Sequence, residues 1–156
     1  YLLTIHRAEN TDDRERMASI VRAINRFKDV EAVFPVHPRT RKMLVQYGLQ
    51  FESHVHLIDP VGYFEMLALE NACEFVLTDS GGVQKEAYFF GKPCITLRES
   101  TEWVELVAHG WNRLTGANEK KIDEALAEMP VLGDKHLLYG EGTTSKVIAD
   151  VLLENS

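Results

Sequence analysis

The chain is poor in cysteine, in surplus positive charge and in long apolar runs, and each shortage excludes something. Cys73 and Cys94 are the two cysteines among 156 residues, both in apolar surroundings, so they read as reduced, buried thiols rather than as a disulfide framework or a metal site. No stretch approaches the ~18 consecutive apolar residues of a membrane-spanning helix, and no leader-like start is seen, so the expectation is a cytoplasmic protein without a membrane partner. With 24 acidic against 17 basic residues the formal charge is −7, which argues against nucleic acid or an anionic membrane surface as the main partner. Any anion the chain binds must be met locally. The six histidines show no metal-ligand spacing; His54 and His56 alternate along a short apolar stretch as ordinary strand residues.

What the sequence does have is 45% apolar residues, enough for one domain with a real core. Strand-like and helix-like patterns alternate along it. "YLLTI" reads as a strand, "HRAEN" as a loop, and Asp12 to Phe27 as a helix behind an Asn10/Thr11 cap, with Met17, Ile20, Val21, Ile24 and Phe27 at helical spacing. "EAVFPV" is the next strand, "HPRT" its exit loop, and Thr40 to Tyr47 a helix closed by Gly48. "VHLID" follows as a strand, Pro60 starts a helix running to about Asn71, "EFVLT" is a strand, and Gly82 to Phe90 a helix stopped by Gly91 and Pro93. "CITL" and "NRLTG" are the last strands. Glu119 to Glu128 is a helix with Ile122, Ala125, Leu126 and Met129 inward, and Ser145 to Leu153 a closing helix with Val147, Ile148, Val151 and Leu152 on one face. Such alternation predicts an α/β fold, a Rossmann-like doubly wound parallel sheet, because parallel neighbours need helical crossovers. A strand at residue 1 is an unusual beginning, so the chain also reads as a piece of something longer.

In doubly wound sheets ligands lie beyond the carboxyl ends of the strands, which picks out "HRAEN", "VHPRT", "DPVGY" and "TDSGGVQKEA". Ser80, Gly81 and Gly82 join a strand to a helix. A hydroxyl and free backbone N–H groups at a helix start suit a diphosphate, although a plain tight turn explains the same residues. Glu86 lies one helical turn further, placed to accept from a ribose diol or to be an ordinary solvated glutamate. His6 and Arg7 combine a titratable ring with a bidentate phosphate donor, or cap a surface loop.

"HRAEN", "PVHP", "DPVGYFEMLAL", "TDSGGVQKEAYFFGKP", "LRESTEWVELVAHGWNRLTG" and "YGEGTTSKVI" occur in the order and spacing of the non-hydrolysing UDP-N-acetylglucosamine 2-epimerases, which this sequence strongly resembles. The resemblance covers the whole chain but only the second half of such an enzyme. It implies the C-terminal half of a two-domain GT-B-type fold, residues 1–156 being a UDP-binding Rossmann-like domain whose N-terminal companion lies outside this chain. By the same resemblance Ser80, Gly81 and Gly82 hold the diphosphate, Glu86 the ribose, Met66 an apolar position beside uracil, and His6 a catalytic place next to UDP. Arg7 matches a substrate contact, and Arg7 and His37 match positions touching a second UDP-N-acetylglucosamine that acts as an allosteric activator. One departure stands out: many relatives read Thr-Glu-Arg-Pro-Glu where this chain has Thr101-Glu102-Trp103-Val104-Glu105.

The implied chemistry is inversion at the sugar's second carbon by elimination of UDP and its re-addition, with no metal and no cofactor. The acid and base would come from the other half, and the whole enzyme would be a homodimer. Three alternatives keep the same phosphate site. They are a 2-epimerase for a diacetamido uronic acid sugar, the donor domain of a GT-B glycosyltransferase, and a UDP-sugar sensor without enzymatic activity.

Overall fold

In the computed structural model, which describes residues 1–128, 132, 138–140 and 142–154, the sheet is parallel throughout. Its strands are β1 (Leu2–Thr4), β2 (Ala32–Pro35), β3 (Val55–Ile58), β4 (Val76–Thr78), β5 (Cys94–Thr96) and β6 (Asn112–Leu114), in the order β3-β2-β1-β4-β5-β6. Register runs Leu3 beside Leu77 and Leu77 beside Ile95 across the centre. The helices are α1 (Ala8–Thr11), α2 (Arg14–Arg26), α3 (Pro38–Tyr47), α4 (Tyr63–Ala72), α5 (Gly81–Phe89), α6 (Val104–Ala108), α7 (Glu119–Ala127) and α8 (Thr144–Glu154). No described helix is long and apolar enough to cross a membrane.

Strands buried on both faces need apolar residues at consecutive positions, and β1 shows why the sheet sits between two helix layers. Leu3 and Ile5 point to one side, into a core with Met17, Ile20, Val21 and Ile24 of α2 and Ile122, Ala125 and Leu126 of α7. Leu2 points to the other side, with Val76, Cys94 and, from α5, Val83 and Ala87. Each fully buried Leu or Ile contributes about 1.5–3 kcal/mol relative to exposure, so these two layers fix the strand ends within which a site can form. The chain leaves β1 for β2 on one side and crosses from β3 to β4 on the other. The switch point therefore lies between the carboxyl ends of β1 and β4.

Several expected boundaries move. Part of "HRAEN" is the helical turn α1, whose Asn10 and Thr11 are buried, so the cap of α2 passes to Asp13, which accepts from the N–H of Glu15 and Arg16. "HPRT" is not an exit loop. His37 caps α3 through Nδ1, and Pro38 at the first position is preorganised for helix. Pro60 does not start α4; Gly62 is its cap, leaving Pro60 and Val61 as wall residues of a cleft. The closing helix forms as expected, and Val147, Ile148, Val151 and Leu152 along it are 52–66% exposed. The inward position expected for Met129 lies outside the described residues.

Candidate functional site

The switch point is built on Asp79, a residue that sequence reasoning passed over. Its carboxylate is 0% exposed and accepts from the backbone N–H of His6 (3.1 Å to Oδ1) and Arg7 (3.0 Å to Oδ2) and from Asn10 Nδ2 (3.1 Å). His6 Nδ1 lies 3.3 Å from Oδ1. A buried carboxylate needs such donors to offset its lost hydration. In return it pins the loop after β1 against the end of β4. Thr4 and Thr78 close the same seam through their hydroxyls at 2.5 Å. Asn10 passes the order on, donating to Leu97 O (2.9 Å) while its Oδ1 accepts from Arg16. The signal for Asp79 was present, an acid between an apolar strand and two glycines, but it becomes meaningful once β1 is known to lie beside β4.

Beside this seam is a cleft of about 290 Å³ lined by His6 and Ile5 after β1, His37 after β2, Pro60 and Val61 after β3, Met66 of α4 and Val83 of α5. The expected residues His6, His37 and Met66 thus share one hollow. Met66 is half-buried and packs on the core below it, leaving an apolar floor suited to a flat ring.

Ser80, Gly81 and Gly82 open α5 at the adjoining edge. Ser80 is the cap, its Oγ accepting from Val83 N at 3.5 Å. The N–H groups of Gly81 and Gly82 have no acceptor among the described residues. Neither glycine has a positive φ, so the backbone there does not require glycine. A β-carbon on Gly82 would meet nothing nearer than 3.9 Å, and one on Gly81 would collide with the Glu102 carboxylate, with Arg7 Nη2 at 3.7 Å. Glu86 lies one turn along α5 with Oε2 over Gly82.

Two further residues join this edge from beyond β5. Arg98, 15% exposed, gives Nη1 to Glu102 Oε2 at 2.8 Å. The Glu102 carboxyl is held below the ordinary carboxylate range, first by its own backbone N–H and then by Arg98 and Arg7. An acid thus occupies the ground beside Gly81 where an anionic ligand would find two arginines. Trp103 caps α6; its Nε1 donates to Gly81 O at 2.7 Å, and its ring lies 4.5 Å from Lys85 Nζ. Trp103 thereby ties α6 to the turn and has the Lys85 ammonium over its ring. No group of three or more His, Cys, Asp or Glu side chains among the described residues is arranged for a metal ion.

The sequence pattern of the UDP-N-acetylglucosamine 2-epimerases matches residues 1–153. The chain belongs to this family. It is 52% identical over 155 residues to the UDP-2,3-diacetamido-2,3-dideoxy-D-glucuronate 2-epimerase of Pseudomonas aeruginosa, a match covering 97% of this chain and 43% of that protein. It is 50% identical over 157 residues to a UDP-N-acetylglucosamine 2-epimerase homolog of Methanococcus maripaludis, with the same coverage. The crystal structure of Methanocaldococcus jannaschii UDP-GlcNAc 2-epimerase, in complex with UDP-GlcNAc and UDP, superposes with a TM-score of 0.86 at 40% identity, over 98% of this chain and 44% of that one. This epimerase-family chain spans under half the length of the relatives it matches, and within that span it has the Rossmann-like, GT-B-type fold expected of it.

Proposed function

We propose that the chain is the C-terminal, UDP-binding domain of a sugar-nucleotide 2-epimerase interconverting UDP-N-acetylglucosamine and UDP-N-acetylmannosamine in the cytoplasm. The observation that carries this reading is the pair Gly81 and Gly82, which have ordinary helical backbone and free N–H groups. Their missing side chains serve something outside the chain, and an anion at a helix start with two arginines nearby fits that space. In this reading the diphosphate lies on the Ser80–Gly82 turn and displaces Glu102. Arg7 and Arg98 then turn to its oxygens, Glu86 accepts the ribose hydroxyls, and uracil lies against Met66.

The reaction breaks the bond between the sugar's first carbon and the diphosphate oxygen while a proton leaves the second carbon, so the electron pair ends on the departing UDP. Re-addition of UDP and return of the proton on the opposite face give the epimer. Stabilising the developing diphosphate charge is the part assigned to this chain, through the helix dipole, backbone N–H groups, Arg7, Arg98 and His6 held by Asp79. The acid and base that move the proton belong to the other half, as does the main dimer contact of the whole enzyme. A second UDP-N-acetylglucosamine acting as activator would bridge Arg7 and His37, which flank the His6 cleft.

The test is incubation of the longer protein carrying this chain with UDP-N-acetylglucosamine in heavy water. Deuterium at the second carbon together with a glucal by-product supports the reading, and transfer of the sugar to an acceptor without deuterium would replace it with a glycosyltransferase. A second substrate has a specific observation behind it: the Pseudomonas relative at 52% identity acts on a diacetamido uronate, and Trp103 with Lys85 alters the surroundings of the turn. Running both sugars side by side decides between them.

A further inference from the structure

Glu70 is a buried charged residue that nothing above uses. It sits on α4, is 0% exposed, and neither carboxyl oxygen has a hydrogen-bond donor among the described residues. What faces it is another acid, Glu86 of α5, whose carboxylate lies over Gly82. Other titratable groups near it are Cys73 at the end of α4, whose Sγ donates to Glu70 O at 3.2 Å, Cys94 on β5, and Lys92 and the Tyr1 ammonium, which act on Cys73. Burial pushes both thiols up and leaves them neutral.

Ionised carboxylates are acceptors only, so two of them facing each other away from water need a proton between them. Burial first, and then the charge of Glu86, pushes Glu70 up to about 8. As an acid it has one O–H to give, and Glu86 is the acceptor in front of it. Glu86 is itself half-buried, with Oε2 beside Gly82.

We infer that Glu70, in its protonated form, is a positioning residue that donates a hydrogen bond to Glu86 and holds that carboxylate over Gly82 with its free lone pairs turned to the ribose diol of a nucleoside diphosphate. The inference rests on Glu86 being the ribose acceptor. It makes nucleotide recognition sensitive to alkaline pH. When Glu70 loses its proton the two carboxylates repel, Glu86 leaves its place, and the fraction of competent sites shrinks by as much as about tenfold per pH unit. A ligand without a ribose does not feel the change.

The experiment is calorimetric titration of UDP and of pyrophosphate into the chain and its Glu70→Gln, Glu70→Leu and Glu86→Ala variants between pH 7 and pH 9. Glutamine keeps a donor at every pH, so the ratio of wild-type to Glu70→Gln affinity cancels the ligand's own ionisation. The expected result is a ratio for UDP that falls about tenfold between pH 7 and pH 9, a flat ratio for pyrophosphate, and Glu70→Leu weak for UDP at every pH. A UDP ratio that stays flat overturns the inference. If Glu86→Ala weakens UDP and pyrophosphate equally, the ribose reading itself fails, which is a separate outcome. Should Glu70→Gln not fold, the infrared carbonyl band of a protonated carboxyl in the wild-type chain at pH 7 replaces it. Loss of that band between pH 7 and pH 9 in step with UDP affinity supports the inference, and its absence at pH 7 refutes it.

Discussion

Replacing Gly81 by alanine separates a glycine kept for its backbone from a glycine kept for a ligand. Gly81 is the first residue of α5 with no positive φ, so alanine meets no conformational penalty there and gains helix propensity, worth up to about 1 kcal/mol in a helix interior and less at the first turn. The new methyl collides with the end of one flexible side chain, Glu102, whose exposed carboxylate can swing into water. That movement loses the Arg98 pair, a partly exposed contact worth about 0–1 kcal/mol. The two effects nearly cancel. The melting temperature should therefore move by no more than about 2–4 °C, the equivalent of roughly 1 kcal/mol in a domain of this size.

Binding should respond quite differently. A diphosphate seated on the free N–H groups of Gly81 and Gly82 needs the space that the methyl fills, and loss of one charge-assisted hydrogen bond costs about 1.5–3 kcal/mol. UDP affinity should fall by roughly tenfold to a hundredfold, while uridine, which has no phosphate, changes little. Calorimetry with both ligands, paired with thermal melts, reads the two effects separately. An alanine variant that keeps its stability and binds UDP as tightly as the parent would refute the phosphate reading of the turn. The anion site would then have to be sought around His6, Arg7 and Arg98.

Other outcomes follow from the same geometry. Glu102→Gln should raise UDP affinity severalfold at low salt, since a carboxylate no longer competes for Arg98 and Arg7; an unchanged affinity in calorimetry would show that the acid does not stand in the ligand's way. Asp79→Asn should destabilise the fold by about 2–4 kcal/mol, because an amide presents N–H where the His6 and Arg7 backbone N–H groups need an acceptor, read as a lower urea midpoint. Glu70 gives a pH dependence of stability. Its folded value is raised to about 8 from 4.5, so between those values the unfolded chain has released a proton that the folded chain keeps. Stability should fall as pH rises through that window, and Glu70→Gln should flatten the slope in urea titrations at pH 5 and pH 8. Finally, the 156-residue chain alone should turn over no UDP-sugar, and product above a buffer control would contradict the division of labour between the halves.

How far the sequence could be read depended on the range of the interaction involved. Alternating strands and helices follow from local apolar spacing, which is why the parallel α/β class and the loops after β1 to β4 were legible. Strand order was not, since nothing in "YLLTI" says that β4 rather than β3 will lie beside it. Helix starts slipped at α2, α3 and α4, whose caps are Asp13, His37 and Gly62. His37 reads as a loop histidine until its Nδ1 is seen to accept from Arg39.

The site divides along the same line. The place of Ser80, Gly81, Gly82 and Glu86 at the start of α5 was legible because a helix start and its first turn are set within a few residues. Asp79, Glu70, Arg98 and Glu102 were not, since each acquires meaning from a partner on another element. Asp79 holds a loop 73 residues away, and Glu70 is an ordinary helix glutamate until α5 is packed against α4. That distinction also bears on the proposal that a chain of net charge −7 binds a diphosphate. The long-range field is unfavourable and is screened within about 8–10 Å at physiological salt. Within that distance of Gly81 lie the N–H groups at the start of α5, Arg7 and Arg98, and the nearest opposing charge, Glu102, sits on an exposed side chain. On the proposed reading, attraction at this edge is a property of contact geometry rather than of composition. It should survive substitutions that make the remote surface still more acidic, and fail on a single methyl group at Gly81.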